Sequence, residues 1–234
     1  MAATEGCHSS RHCGTSHSLR EAHPKNRQSI RRRRKLARRT ATRAGLPAIL
    51  VVCEGRQTER NYILGLCDKH RINRANIIVE TGGSETSALQ LIQKAKERFS
   101  RDRDFDAVFV VCDHDAQDLD PARAEASVLL RSTSGQRFPI QLIITNPCFE
   151  FWLILHFEYV ARPLTAQDAI ELLREHVTDY DKADRRIYEK VHTGLDRALV
   201  HATRLKEDLR QISASSPNTD MVSLVNALLG LRRG

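Results

Sequence analysis

Apolar positions along this chain fall into short unbroken runs set between longer amphipathic stretches. "AILVVCEG" (48–55), "NIIVE" (76–80), "DAVFVVCDHD" (106–115) and "FPIQLIIT" (138–145) are such runs. A continuous apolar run of this length is what a parallel strand needs when both of its faces are covered. Helices are predicted between them, over about 57–70, in the second half of "TGGSETSALQLIQKAKERF" (81–99) and over about 121–130. In the second of these, Leu89, Ile92, Ala95 and Phe99 recur near helical spacing. A further helix follows the fourth strand in "TNPCFEFWLILHF" (145–157); it is apolar nearly all round, which predicts burial. Strand and helix thus alternate four times, and short crossovers make the strands parallel and the connections right-handed. Beyond Leu164 only helical patterns remain, at about 165–176, 183–212 and 219–231. The expected architecture is an α/β core over 47–163, with a four-stranded, mainly parallel, Rossmann-like sheet flanked by helices. An α-helical extension over 164–234 packs on that core, and a disordered arm over 1–46 precedes it.

Charge sharpens this division. The chain of 234 residues carries 37 Lys+Arg and 29 Asp+Glu, a net charge of +8. Twelve of the basic residues lie in the first 45 positions against only Glu5 and Glu21, a local net of +10; the rest of the chain holds 25 basic and 27 acidic residues. The basicity therefore belongs to the arm. Arg31, Arg32, Arg33, Arg34, Lys35, Arg38 and Arg39 are its candidate contacts to a nucleic-acid backbone; a solubilising tail is the alternative. Cys7, His8, His12, Cys13 and His17 are zinc-ligand types, but their spacing fits no standard zinc module. The six cysteines form no disulfide framework, and Cys53 and Cys112 sit in strand-like runs as small hydrophobes. With no apolar run near the roughly 20 residues of a membrane span and no secretory leader pattern, a cytoplasmic location is expected.

In an open parallel sheet, ligands bind beyond the carboxyl ends of the strands. The residues there are Glu54-Gly55 with Thr58 and Glu59, then Asp113, His114 and Asp115, then Thr145 and Asn146. Asp113 and Asp115 leave one face if the strand continues through them, and Glu54 faces them if the first and third strands are neighbours. Three carboxylates so close repel one another unless a cation intervenes, and hard oxygen ligands suit Mg²⁺ or Mn²⁺. Acids end strands routinely, and a lone D-x-D is weak evidence; the combination is stronger. Glu59 faces the site or is an exposed acid favoured at a helix N-terminus. Thr58 and Asn61 read as caps or helix-surface residues, and Tyr62 as packing. Asn146 is expected as a helix N-cap, with Pro147 at the first helical position and Glu150 one turn in. A buried Glu150 has to be paired, protonated or metal-bound. His156 reads as a hydrogen-bonded structural histidine.

Glu-Gly after strand one with D-x-D after strand three resembles the Toprim pattern of topoisomerases, primases and certain nucleases. "ILVVCEGRQTERNYILGL" (49–66), "VFVVCDHD" (108–115) and "TNPCFEFWLILHF", in this order, resemble the RloB family, bacterial proteins found beside restriction-modification and defence genes and assigned a Toprim-like fold. The likeness runs from Ala48 to the C-terminus and takes in "YDK" (180–182) and "PNTDMVSLV" (217–225). His114 departs from it, since an Arg is expected between the two Asp residues. The resemblance implies a Mg²⁺-dependent nuclease acting on DNA or RNA in antiviral defence. Glu54 would be general acid/base, Asp113 and Asp115 metal ligands together with Glu54, and Glu59 and Glu150 further site carboxylates. Lys182 would meet a phosphate or Glu150, with Arg185 and Arg186 lining a polyanion groove and Asn146 and His156 in support. There is no Walker A motif, so the resemblance also implies an ATPase partner encoded nearby. A non-catalytic nucleic-acid-binding or adaptor subunit is the alternative. A D-x-D nucleotide-sugar transferase would leave Glu54 and Asn146–Glu150 unexplained.

Overall fold

The computed structural model describes residues 47–82, 87–102, 104–114, 118–212 and 217–232, with backbone alone at 209–212. The arm over 1–46 lies outside the described residues. Strands β1 (Ile49–Cys53), β2 (Ile77–Thr81) and β3 (Ala107–Asp113) form, and β4 (Leu130–Arg131) and β5 (Arg137–Phe138) make a small separate hairpin. Strand β6 (Gln141–Asn146) and the two-residue β7 (Asn218–Thr219) complete the main sheet, whose order is β2-β1-β3-β6-β7. The first four of these pair in parallel, as the continuous apolar runs predict. The sheet has five strands rather than four, because β7 adds antiparallel to β6 with Thr145 opposite Thr219. "NT" carries no apolar run, so local pattern merges it with the last helix. What holds it is long-range, a 2.9 Å hydrogen bond between the Thr145 and Thr219 hydroxyls.

Alternation along the strands divides the core into two layers. Ile49, Val51 and Cys53 of β1 join Phe109 and Val111 of β3 on one face; Leu50, Val52, Val108, Val110 and Cys112 occupy the other. Helix α1 (Thr58–Lys69) covers the first face, and α2 (Ala88–Arg101) and α3 (Leu119–Ala126) cover the second. Successive helices thus leave β1 and β2 for opposite faces while the strand order reverses at the β1–β3 boundary. That boundary is the topological switch point of the sheet. Helix α2 starts on a reciprocal capping box between Ser87 and Gln90.

The first face also receives α4 (Phe149–Ile154), α5 (Ala166–His176), α6 (Ile187–Val191), α7 (Leu195–Ile212) and α8 (Met221–Leu229). The helix expected over 183–212 is broken into α6, a 3₁₀ turn (His192–Gly194) and α7. Contact explains the break: a Cβ on Gly194 would lie 2.0 Å from the carbonyl oxygen of His156, so only glycine lets the chain pass there.

Every residue of α4 is buried. Burying an apolar side chain contributes roughly 1.5–3 kcal/mol, so Phe149, Phe151, Trp152, Leu153 and Ile154 outweigh the cost of carrying Glu150 and His156 inward. Tyr62 is the hub, edge-on to Phe149, Trp152, His156 and Tyr188 with ring centroids 5.1–6.2 Å apart. His156 is fully satisfied. Its Nδ1–H donates to the Trp152 carbonyl (3.0 Å) and its Nε2 accepts from the Tyr62 hydroxyl (3.1 Å), the tautomer following from these partners. Burial pushes its pKa down to about 4, against the bonds to the Trp152 and Leu153 backbone.

A neutral buried imidazole binds fewer protons than the unfolded chain between about pH 6.5 and 4, so stability falls as pH drops through that window. The loss should be about 3 kcal/mol. Urea unfolding followed from pH 7 to 4.5 should show this extra loss in the parent and not in His156→Gln; parallel curves would mean that the ring is charged in the fold.

Candidate active site

β1 and β3 are neighbours with Cys53 opposite Val111, so Glu54 falls opposite Cys112 at the switch point, with Asp113 one residue further on. The Asp113 backbone N–H donates to Glu54 Oε2 (3.0 Å), and the Glu54 N–H donates to the Val111 carbonyl (2.9 Å). Two helix starts bring the remaining acids. Glu59, in the first turn of α1, is only 6% exposed, and its Oε1 accepts from the Gly55 N–H (3.1 Å). A Cβ on Gly55 would sit 1.9 Å from the Glu59 carboxylate, so Glu-Gly at this strand end is what lets Glu59 fold back over it. Glu150, in the first turn of α4, is 2% exposed. Its Oε1 accepts from the Tyr180 hydroxyl (2.7 Å) and lies 3.3 Å from the Lys182 ammonium.

A loop from the helical extension closes this side. Thr58 Oγ1 donates to the Lys182 carbonyl (3.0 Å), and Asn61 Nδ2 donates to the carbonyls of Ala183 and Asp184 (3.3 Å each). Neither residue serves as the cap or free surface group that local reading suggests; the α1 N-cap is Gln57, without a side-chain capping bond. The result is a cleft of about 280 Å³ lined by Glu54, Glu59, Asp113, Glu150 and Lys182, with Gly55, Arg56, Gln57, Thr58 and Phe149 between them.

The four carboxylates are not equivalent. Burial, then the charges of Glu59, Glu54 and Glu150, push Asp113 up to about 8 against one hydrogen bond from the Phe149 N–H. Burial likewise raises Glu59, opposed by backbone N–H groups and reinforced by Glu150 and Glu54. Glu150 goes the other way. Burial would raise it, but the Tyr180 hydroxyl, the Lys182 ammonium and the Cys148 thiol together hold it below the usual range. Burial works against the Lys182 charge too, and Glu150 more than offsets it, leaving the ammonium favoured. Negative charge is thus countered at the Glu150 end, while Asp113 is crowded by three other acids.

Of the residues predicted from sequence, Glu54, Glu59, Asp113, Glu150 and Lys182 line this one cleft. Asp115 and the arm residues Arg31, Arg32, Arg33, Arg34, Lys35, Arg38 and Arg39 lie outside the described residues, and β3 itself ends at Asp113. Asn146 is not a helix cap. It is the last residue of β6, its bond to Pro147 is cis, and Cys148 occupies the N-cap, so Glu150 is the second helical residue rather than one turn in. The β6–β7 pairing draws Asn146 into the sheet opposite Asn218, which prevents it from opening the helix. His156 lies in the aromatic core and not at the cleft. Sequence reasoning missed Tyr180 and the tether from Thr58. Tyr180 stands in the same "YDK" as Lys182, but what marks it is burial against Glu150, a contact that no local pattern carries.

The donors suit a hard cation, being carboxylate oxygens crowded at one strand edge. Among the described residues no three His, Cys, Asp or Glu side chains are drawn together to share one ion. Mg²⁺ is commonly held by one or two carboxylates with waters and substrate oxygens completing its shell, and the adjacent Glu54 and Asp113 fit that pattern.

A mainly parallel sheet covered by helices on both faces, with acids at its switch point, defines an α/β architecture. Residues 49–228 match the model of the RloB-like protein family, and the chain belongs to that family. No curated protein and no solved structure matches it significantly. Among the described residues no helix is long and apolar enough to cross a membrane.

Because Asp113 binds its proton more tightly when folded, its contribution to stability is fully present below about pH 4 and lost as pH rises through about 8. Asp113→Asn removes that dependence. The variant should therefore gain on the parent by about 3 kcal/mol between pH 5 and pH 8 in metal-free buffer, read by urea unfolding. A gain that is constant with pH would show that Asp113 is ionised throughout.

Proposed function

We propose that this cleft binds Mg²⁺ or Mn²⁺ and hydrolyses phosphodiester bonds in nucleic acid, in the manner of Toprim enzymes, as an effector of bacterial antiviral defence. The observation that carries the reading is the displaced titration of Asp113, driven by burial and by Glu59, Glu54 and Glu150 at one strand edge. A cation relieves that repulsion, and perturbed carboxylates in a cleft are common where chemistry is done. The defence role rests on the resemblance to proteins found beside defence genes.

Glu54 and Asp113 would hold the ion, with Asp115 the next acid along the chain. Bound there, it would polarise a nonbridging phosphate oxygen and make a water more acidic. Glu59, whose pKa burial raises, serves as a proton acceptor, since a general base works best with a pKa near the operating pH. Glu54 can share that role. Glu150 fixes the Lys182 ammonium at the mouth, where it faces an incoming phosphate, and Tyr180 fixes Glu150. The arm, with its seven clustered basic residues, would hold the strand through phosphates without choosing sequence. An ATPase partner belongs to the same proposal as the source of any energy-dependent trigger.

Labelled DNA and structured RNA incubated with Mg²⁺ or Mn²⁺ should be cleaved by the parent. Asp113→Ala and Glu54→Gln should each slow cleavage by about 100-fold or more. Equal cleavage by all three proteins would overturn the assignment.

A further inference from the structure

We propose that Arg60, Arg185 and Arg186, with Lys182, form a phosphate-binding lip on the cleft that seats the sugar–phosphate backbone of a nucleic-acid strand independently of the basic arm. The inference rests on the hydrolase reading for the bond to be broken, but not for binding itself.

Placement comes first. Arg60 follows the buried Glu59 on α1 and is exposed; Arg185 and Arg186 are exposed in the loop that leads into α6. The hydrogen bonds from Thr58 and Asn61 to the carbonyls of Lys182, Ala183 and Asp184 lay that loop across the first turn of α1. Three separate bonds from one helix turn make the arrangement fixed before any ligand arrives, which lowers the ordering cost of binding.

Charge comes second. The loop is also rich in acids, yet these are spent locally. Asp181 Oδ1 accepts from the Ala183 N–H (2.9 Å) and Asp184 Oδ1 from the Arg186 N–H (2.8 Å). Asp179 and Asp184 then share the Lys190 ammonium at 2.8 and 2.7 Å. Among the described residues, none of the guanidiniums of Arg60, Arg185 and Arg186 is in an ion pair. Exposed Lys182, Arg60, Arg185 and Arg186 thus stand beside a cleft lined by carboxylates, while the loop's aspartates bond to backbone N–H groups and Lys190, Asp184 also feeling the charge of Arg186.

That alternation selects the partner. An acidic peptide would favour the lip but carry carboxylates with nothing to gain from the cleft. A nucleic-acid strand presents regularly spaced phosphates, so several rest on the lip while a neighbour meets the cleft. Guanidinium groups suit phosphate by their forked donors.

The test uses the full chain and three proteins: the parent, Arg60→Ala/Arg185→Ala/Arg186→Ala, and the charge-matched control Arg123→Ala/Arg131→Ala/Arg137→Ala, whose arginines are exposed on α3 and the β4–β5 hairpin. Binding of a fluorescein-labelled oligonucleotide is followed by anisotropy over a salt series in EDTA, and cleavage in Mg²⁺ and Mn²⁺ is followed in parallel. Each lost phosphate contact should flatten the plot of log affinity against log salt by about 0.7–0.9. The lip variant should therefore lose about 2–3 from the slope and bind about tenfold or more weakly at moderate salt, while the control keeps the parent's slope. Equal slopes in the two variants overturn the lip. So does parent binding to polyglutamate as tight as to the oligonucleotide. If the lip variant loses slope and the parent cuts nothing, the lip stands and the hydrolase reading falls; if the parent cuts and both variants keep its slope, the reverse holds.

Discussion

Repulsion among buried and half-buried carboxylates at the end of a parallel run of strands is the constraint on which the rest of this structure turns. Ladder bonding continues one residue past β1, and the Asp113 N–H binds the Glu54 side chain, so the two acids are fixed by the sheet itself. Glu59 and Glu150 arrive on helices whose starts the sheet edge dictates. Separating these groups would be easy for a chain that had no use for them. Instead Gly55 gives up its side chain so that Glu59 can come close, and a loop more than 120 residues beyond Thr58 is pinned to the start of α1, where its Lys182 meets Glu150.

The apolar part of the fold makes that arrangement affordable. Helix α4 is driven inward by five large hydrophobic residues, and Glu150 is carried with them. The same insertion forces Gly194 against the His156 backbone and splits what would otherwise be one long helix. Tyr62 ties the two halves of this layer together through its ring contacts, and its hydroxyl satisfies His156. A site of this charge is held in place by packing among residues that, Phe149 apart, do not line it.

Much of this was legible in the chain. Four continuous apolar runs announce four parallel strands; that Glu54 comes close to Asp113 depended on the first and third strands being neighbours, which they are. The near-uniform hydrophobicity around Glu150 marks it as a buried acid in need of a partner, and Lys182 is that partner. What local pattern does not carry is contact between distant segments. β7 is two polar residues held by a threonine pair, Asn146 is kept in the sheet by β7 instead of capping α4, and Thr58 and Asn61 spend their polar groups on carbonyls of a remote loop. Periodicity reports which face of an element is buried, and says nothing of which element will cover it.

The structure divides its carboxylates into two kinds. Glu150 is hydrogen-bonded by Tyr180 and paired with Lys182, while Glu54 accepts from the Asp113 N–H and the Asp113 carboxyl is pushed up by burial and the acids around it. On this account a cation binds the second kind and the first positions Lys182. Titrating Mn²⁺ into the protein and following the free-ion paramagnetic resonance signal tests this directly. The parent and Glu150→Gln should both remove Mn²⁺ from solution, and Asp113→Asn and Glu54→Gln should leave the signal of free ion. Equal uptake by all four proteins, or none by the parent, would contradict it.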